Sequence, residues 1–331
     1  MTQLIDKFGR EINYLRLSIT EHCNYRCFYC RDNGHISNCK KQDILSYEDI
    51  QRIVSIFAQL GVSKIRLTGG EPLVRRGIAK IAKLISAVDG IDDLALSTNA
   101  HLLAKFADKL YQNGVNRVNI SMDSLHPEKF KKITRGGDLK LVIKGIEAAL
   151  KTGMHPIKIN AVAMRGVNDD EIEALIDFAI EKGLDMRFIE TMPIGLAGIE
   201  ASSQHISEQE ILSRVKKHLK GRLVPIKPGK TDGPACNYKI IDSDSSVGII
   251  SAVSNHFCQT CNRVRLTAKG ELILCLGQKD SISLRDMARS GLSDEEIKRN
   301  IIDTINKKPE KHEFNYSIDN ISNRQMVEIG G

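Results

Sequence analysis

Short runs of alternating apolar and polar residues recur between Tyr14 and Met192, separated by stretches with apolar residues at helical spacing. The predicted strands are Tyr14–Thr20, Lys64–Thr68, Leu94–Asn99, Arg117–Asp123, Ile157–Ala163 and Met186–Met192. One predicted helix begins near Ser46, where Asp49 completes a capping box. Other predicted helices cover about 101–112, 138–152 and 169–182. Strands and helices that alternate in this way predict an α/β fold with a parallel sheet and helices outside it.

One face of most predicted strands is polar. Arg16 and Ser18 alternate with Leu15 and Leu17, and successive strand residues point to opposite faces of a sheet. Further polar residues on such faces are Arg66, Ser97, Asn119, Ser121, Lys158 and Asn160. A closed eight-stranded barrel fills its lumen with bulky branched residues. We therefore expect an open, partial (β/α)6 TIM-like barrel with a polar cavity; the alternative is a doubly wound sheet with polar strand ends.

The rest of the chain, after Met192, has a different pattern. Ile194 to Ser207 contains glycine and serine and is interpreted as a linker, and a helix is predicted near 208–219. A β-rich region follows, and Ser293 with Glu296 forms a capping box for a further helix. We expect two domains, the barrel at 1–200 and a smaller C-terminal α+β region at 201–331.

Composition and charge narrow the class of protein. Of the 331 residues, 41% are hydrophobic, which is enough for a sizeable core. The chain has no long apolar run, and Met1 to Arg10 lack the apolar segment of a signal peptide, so we expect a cytoplasmic protein without membrane association. The net charge of +7 fits ordinary surface lysines or a small anionic substrate. The sequence has no continuous basic stripe with interleaved aromatic residues, the pattern that would indicate nucleic-acid binding.

A first group of cysteines follows the first predicted strand. Cys23, Cys27 and Cys30 have the spacing C-x₃-C-x₂-C. Three thiolates can hold three irons of a 4Fe–4S cluster and leave the fourth iron open to another ligand. The alternative, a structural zinc ion, needs a fourth protein ligand. The candidates for it are Cys39, His22 and His35.

A second group of cysteines lies in the C-terminal region. Cys258, Cys261 and Cys275 have the spacing C-x₂-C-x₁₃-C. Arg263 and Arg265 lie between them and share one strand face, and two guanidinium groups beside a metal site suit a phosphate-bearing ligand. A zinc ion here also needs a fourth ligand. The candidates are Cys236 and His256.

The first cysteine loop, with Tyr29 just before the third cysteine, resembles that of the radical S-adenosylmethionine (SAM) superfamily. Gly69-Gly70-Glu71-Pro72 ends the second predicted strand, where that superfamily has a motif beside the methionine amino group of SAM. The resemblance implies that a reduced cluster donates one electron to SAM. Methionine and a 5′-deoxyadenosyl radical form, and the radical takes a hydrogen atom from the substrate.

Further motifs resemble the GTP 3′,8-cyclase family of molybdenum cofactor biosynthesis over nearly the whole chain. They are T-E-H-C-N-Y-R-C-F-Y-C, R-F-I-E-T-M-P at 187–193, C-N-R-V-R-L and the terminal Gly-Gly. The chain departs from the family pattern at Ser97 and Ala100, where threonine and glycine are usual, and Cys39 is additional. Ser97 keeps the hydroxyl group, and Ala100 can alter a turn.

The resemblance implies a lyase with two 4Fe–4S clusters and SAM that converts GTP to (8S)-3′,8-cyclo-7,8-dihydroguanosine 5′-triphosphate, with hydrogen abstraction from ribose C3′. It also implies an external electron donor, a product passed to cyclic pyranopterin monophosphate synthase, and a monomer or homodimer. The implied cluster ligands are Cys23, Cys27, Cys30, Cys258, Cys261 and Cys275. The implied SAM contacts are Tyr29, Gly70, Ser121 and Met192. The implied GTP contacts are Arg16, Arg66, Ser97, Lys158, Arg263 and Arg265.

Several alternatives stay open at this point. Met192 could fill the core, and the Ser121 hydroxyl could serve only the backbone. Gly330–Gly331 resembles a tail that reaches into the active site, although terminal glycines are usually frayed. A radical SAM peptide maturase would carry more C-terminal cysteines. A zinc- or cluster-bearing RNA-binding protein would have a basic surface rather than basic residues inside a cavity.

Overall fold

A computed structural model gives the structure of the chain. It describes residues 3–32, 34, 39–227, 229, 233–277, 281–312, 314 and 324–330. Two residues of the sequence-based predictions, the zinc-ligand candidate His35 and the terminal Gly331, lie outside the described residues.

The strands and helices below are numbered in chain order. The strands are β1 Tyr14–Ser18, β2 Lys64–Thr68, β3 Asp93–Thr98, β4 Arg117–Ser121, β5 Ile157–Val162, β6 Asp185–Ile189, β7 Leu223–Pro225, β8 Cys236–Ile240, β9 Ser246–Ile250, β10 Arg263–Leu266, β11 Glu271–Ile273 and β12 Ser281–Ser283. The helices are α1 Tyr47–Gln59, α2 Ile78–Ser86, α3 Leu103–Gln112, α4 Pro127–Thr134, α5 Leu139–Thr152, α6 Ile172–Lys182, α7 Gly195–Ser202, α8 Glu208–His218, α9 Leu284–Arg289 and α10 Asp294–Ile305.

All of these strands belong to one sheet, in the order β12-β11-β10-β1-β2-β3-β4-β5-β6-β9-β8-β7. The strands β1 to β6 pair in parallel with their sequence neighbours, and β10 and β9 extend the parallel part beyond β1 and β6. Within the described residues the sheet stays open, with β12 and β7 at its edges. The predicted α/β fold with a partial TIM-like barrel is confirmed.

The two faces of the sheet differ as the alternation predicts. Leu15, Leu17, Ile65 and Leu67 are fully buried in the main hydrophobic core, which they share with apolar residues of the surrounding helices. This burial against helices leaves the polar face of each strand for the interior of the partial barrel. The two capping boxes, Ser46 with Asp49 and Ser293 with Glu296, are also confirmed.

The interpretation of Ile194 to Ser207 as a linker is wrong for most of the segment. Residues 195–202 of that segment form α7, and Gly195, Ala197, Gly198 and Ala201 in it are buried. A side chain at Gly198 would lie 2.4 Å from the carbonyl oxygen of Met192, so glycine allows α7 to pack closely on the chain after β6. The small residues that resemble a linker therefore serve close packing.

The predicted carboxyl ends of most strands also need a smaller correction. β2 is as predicted, whereas β1 and β3 to β6 end one to three residues earlier than predicted. The residues beyond these ends lie at the carboxyl rim, the end of the sheet where β1 to β6 finish. The opposite end, where these strands begin, is called the amino rim below. No described helix has the length and apolar character needed to cross a membrane.

Candidate active site

The first cysteine loop lies at the carboxyl rim, directly after β1. Its backbone is held against the end of α4, because Arg26 N–H donates to Thr134 O at 3.0 Å and Phe28 N–H to Ile133 O at 3.2 Å. Cys30 N–H donates to Cys27 O at 3.0 Å and closes a turn. These bonds fix the spacing of the three cysteines without any side-chain cross-link.

The thiols of this loop are packed among protein atoms. Burial raises the pKa of Cys23 to about 11 and that of Cys30 to about 12, and it raises the pKa of Cys27 well above its ordinary value. The three sulfurs act on one another electrostatically. Thiolates in such a place need a compensating cation, which iron ions supply.

Two residues that the resemblance assigns to SAM lie beside this loop. Tyr29 donates its hydroxyl proton to Asp123 Oδ2 at 2.7 Å, and Asp123 Oδ1 accepts from Val162 N–H at 2.8 Å. Gly70 approaches the backbone closely, since a Cβ there would lie 2.6 Å from His22 O. The loop between β1 and the cysteines therefore leaves room only for glycine at position 70, after β2.

The other two lie at the ends of neighbouring strands. Ser121 is the last residue of β4 and is exposed. Met192 follows β6, is half-buried and packs against a small cluster formed by Ile194, Ile273 and Ile329. The structure thus brings all four residues to the carboxyl rim, and for Met192 the core contact is present as well.

Glu71 of the Gly-Gly-Glu motif has a structural part here. Its carboxylate accepts from Thr98 Oγ1 at 2.7 Å, Asn99 N at 2.7 Å and Leu73 N at 2.9 Å. Burial raises the pKa of Glu71 to about 7, although these donors oppose the shift. The carboxylate joins the ends of β2 and β3 beneath the glycine pair.

The residues assigned to GTP form a layer across the middle of the sheet. Arg265, Arg16 and Arg66 are neighbours in register on β10, β1 and β2. Arg66 Nη1 lies 3.5 Å from Ser97 Oγ on β3. Lys158, in register with Asp185, forms an ion pair with it at the amino rim.

Three arginines of this layer are buried, and the described residues give them no carboxylate partner. Arg66 is 7% exposed, Arg263 9% and Arg265 8%. Burial, with Arg66 and Arg263 nearby, lowers the pKa of Arg16 to about 10, and burial with neighbouring arginines lowers that of Arg265 well below its ordinary value. Several like charges held together in a low-dielectric interior favour an anionic ligand.

Unsatisfied donors support the same conclusion. In the described part of the chain, Nε of Arg66, Arg187 and Arg263 is buried without a hydrogen-bond partner. Buried guanidinium groups normally have partners. Phosphate oxygens would supply acceptors in the planar arrangement that guanidinium groups prefer.

The sequence reasoning missed three residues of this layer. Arg187 on β6 is buried, and burial with Arg66 nearby lowers its pKa to about 10. Lys64 and Tyr14 begin β2 and β1. Burial alone would raise the pKa of Tyr14, but four surrounding cations, of which Arg66 and Arg16 act most strongly, lower it to about 7. The alternation of strand faces could have identified Arg187. It shares a strand face with Ile189, but its neighbour in register on β5 is the polar residue Asn160.

The second cysteine group lies at the opposite end of the barrel. Cys258 and Cys261 precede β10, and β10 runs parallel to β1. Cys275 follows β11, which runs antiparallel to β10 and so returns to the amino rim. Burial raises the pKa of Cys261, but Arg263 and Lys308 outweigh it and lower the value to about 7. The arginine layer therefore lies between two groups of three cysteines.

The C-terminal tail enters the cavity. Gly330 O accepts from Arg16 Nη2 at 3.1 Å and from Arg265 Nη1 at 3.0 Å. Gly330 has φ +77°, and a Cβ there would lie 2.7 Å from Thr68 Cγ2, so the position requires glycine. The prediction that the tail reaches into the cavity is confirmed for Gly330, and two arginines assigned to GTP bind this tail.

A cavity of about 390 Å³ opens at the amino rim and reaches Lys158. Its lining includes His155, Asp185, Asn237 and Lys239. Strand β8 therefore borders the cavity that reaches Lys158, whereas the arginines of the cationic layer do not line it.

The zinc alternatives gain no support from the described residues. Among them, no three His, Cys, Asp or Glu side chains converge closely enough to hold one metal ion. The three cysteines of a 4Fe–4S site each bind a different iron and so stand farther apart than ligands of a single ion. Both cysteine groups fit such a cluster by donor number and donor type.

Curated relatives match the chain from end to end. A GTP 3′,8-cyclase from Hydrogenovibrio crunogenus is 52% identical over 329 residues, which cover 99% of each chain. The chain belongs to the GTP 3′,8-cyclase family. Another member, from Syntrophomonas wolfei, is 44% identical over 328 residues and covers 99% of this chain and 100% of its own.

Family profiles and solved structures agree with this membership. The Radical SAM superfamily profile matches residues 17–179, and the profile named Molybdenum Cofactor Synthesis C matches residues 184–314. The structure of Streptococcus suis SuiB bound to S-adenosylmethionine is similar in fold, with a TM-score of 0.62 at 15% identity. The match covers 84% of this chain and 64% of SuiB. The peptide-maturase and RNA-binding alternatives are therefore set aside.

Proposed function

We propose that the chain is a radical SAM GTP 3′,8-cyclase that makes (8S)-3′,8-cyclo-7,8-dihydroguanosine 5′-triphosphate for molybdenum cofactor biosynthesis. The observation that carries the proposal is a layer of buried arginines between two three-cysteine groups at opposite rims, in which the Nε atoms of Arg66, Arg187 and Arg263 lack an acceptor among the described residues. The full-length identity with curated cyclases supports it independently.

Cys23, Cys27 and Cys30 would hold one 4Fe–4S cluster, and Cys258, Cys261 and Cys275 would hold the other. When bound and reduced, the first cluster with SAM supplies the 5′-deoxyadenosyl radical that removes hydrogen from ribose C3′. Three cysteines leave one iron of each cluster free for another ligand. The half-buried setting of the first loop would limit the access of water to the reactive group.

Tyr29, Gly70, Ser121 and Met192 would bind SAM at the carboxyl rim. Gly70 admits the ligand close to the backbone, since no side chain intervenes. Asp123 accepts the Tyr29 proton and holds the ring in one orientation. Such fixed orientation favours one productive geometry of the cofactor.

The GTP triphosphate would bind the cationic layer. Its assigned contacts are Arg16, Arg66, Ser97, Lys158, Arg263 and Arg265. Phosphate oxygens compensate the clustered charges and accept from the unsatisfied Nε atoms of Arg66 and Arg263. With the phosphates in this layer, the guanine would lie toward the second cysteine group and the ribose toward the first.

Several finer points belong to the same proposal. Residues 1–200 would act as the SAM-binding domain, and residues 201–331 would supply the second cluster and complete the GTP site. The product would pass to cyclic pyranopterin monophosphate synthase, and an external donor would supply electrons. We propose a cytoplasmic monomer or homodimer, because the reducing cytoplasm preserves thiolate-bound iron.

Iron and acid-labile sulfide measured on anaerobically reconstituted protein test this proposal. We expect about eight irons and a matching amount of sulfide per chain, since each cysteine group takes a four-iron cluster. Zinc with little sulfide would overturn the assignment of both sites.

A further inference from the structure

Lys308 is buried next to the second cysteine group. It follows α10 and is 2% exposed. Its Nζ donates to Arg263 O at 3.2 Å and to Leu274 O at 2.5 Å. Arg263 lies two residues after Cys261, and Leu274 directly precedes Cys275. One ammonium group therefore joins the two separate arms that carry these cysteines.

The charge of Lys308 lacks a carboxylate partner among the described residues, where two backbone carbonyls are its hydrogen-bond acceptors. A buried cation of this kind needs a nearby negative charge. A thiolate-ligated cluster is the negative group that the surroundings provide.

The backbone around Lys308 is fixed from the other side by Arg10. Arg10 Nη1 donates to Cys258 O at 2.8 Å and to Glu310 O at 2.8 Å, and Nη2 donates to Pro309 O at 2.5 Å. Unlike Lys308, Arg10 has its own carboxylate, since Nε lies 2.6 Å from Asp6 Oδ2. Arg10 is thus a neutralised connector, whereas the charge of Lys308 remains for the cysteine site.

We propose that Lys308 is a positioning residue for the second cysteine site, where it holds both arms through their carbonyls and gives its positive charge to the bound iron–sulfur cluster. The inference rests on the proposed function, because it takes that group to be a 4Fe–4S cluster. Partners outside the ligand set commonly change metal affinity 10- to 100-fold when they are removed. A nearby cation also favours the reduced, more negative cluster.

The test uses the full chain with Cys23, Cys27 and Cys30 replaced by alanine, so that iron reports the second site alone. Into this background we place Lys308→Met, Lys308→Arg and, as a matched control, Lys307→Met, since Lys307 is the adjacent exposed lysine. Measured quantities are iron and sulfide content, the rate of iron loss to a chelator, and the midpoint potential from an electron paramagnetic resonance titration.

We expect about 10-fold faster iron loss and a more negative potential in Lys308→Met. Lys307→Met should match the parent, and Lys308→Arg should recover most of the potential because it keeps the charge. Equal iron retention and potential in Lys308→Met and the parent would overturn the inference. The inference would also be overturned if the iron-free Lys308→Met chain lost its circular dichroism signal, because Lys308 would then be a general core residue. A parent without iron would contradict the proposed function itself, and the inference with it.

Discussion

At the scale of single residues, the buried guanidinium groups decide what the cavity can bind. Arg66 illustrates this, since it is 7% exposed, its Nε has no partner in the described structure and the cation Arg16 lies nearby. Such a group gains little from folding and much from an anionic ligand. Its removal should therefore affect binding more than stability.

Arg66→Met should weaken GTP binding about 10- to 100-fold, the usual range for a hydrogen bond to a charged group. The thermal midpoint of the ligand-free protein should stay the same or rise, because repulsion with Arg16 is relieved. Calorimetric titration with GTP and thermal unfolding provide the two measurements. Arg76→Met, at an exposed arginine, is the matched control. Unchanged GTP affinity in Arg66→Met would remove this residue from the site.

Tyr14 provides a pH-dependent signal of the same cations. Its folded pKa of about 7 lies below the ordinary value of about 10. The phenolate therefore stabilises the fold fully above about pH 10, and this contribution falls as pH drops and is lost below about pH 7. Tyrosinate absorbance, wild type minus Tyr14→Phe, should titrate near pH 7. GTP should move that titration to higher pH, because phosphates compensate the cations. A difference titration near pH 10, with or without GTP, would show that the surrounding cations do not act on Tyr14.

At the scale of elements, the tail is the part whose effect is most separable from the fold. Gly330 O binds Arg16 and Arg265, while Gly331 lies outside the described residues. Deleting Gly330–Gly331 should leave iron content and SAM binding intact and nearly eliminate cyclised product, because the tail positions reactants. Iron, 5′-deoxyadenosine and cyclised nucleotide are measured on one truncated preparation. Full turnover would return these residues to a frayed end.

Some elements could be predicted from sequence, and others could not. The strands β1 to β6 alternate clearly, so their existence and their polar faces were predictable. The helix α7 was not, because its glycines and alanines serve close packing and resemble a linker. The placement of β9 and β10 beside β6 and β1 is a long-range pairing, and no local pattern specifies it.

The site divides in the same way. Cysteine spacing and strand parity indicated both cysteine groups and most of the cationic layer. Arg187 lay within a recognised motif and was not read as a cation of the cavity, and Lys64 and Tyr14 begin strands, where parity is weakest. Ala100 adopts φ +59°, a left-handed conformation that favours glycine, so the turn at this position forms with an alanine. The contact between the tail and the arginines required the three-dimensional structure.

At the scale of the whole molecule, two strands from the C-terminal region complete one parallel sheet and set the second cysteine group at the amino rim. Under the proposed function, a substrate held by the arginine layer would lie between the SAM-binding cluster at the carboxyl rim and the second cluster at the amino rim.

The most direct measurement follows a deuterium atom placed at C3′ of GTP. The reaction is run anaerobically with reductant and SAM, and 5′-deoxyadenosine and the nucleotide product are analysed by mass spectrometry. The account predicts that 5′-deoxyadenosine carries the deuterium, because C3′ is the position from which hydrogen is removed. Deuterium that remains entirely in the nucleotide while cyclised product accumulates would contradict it.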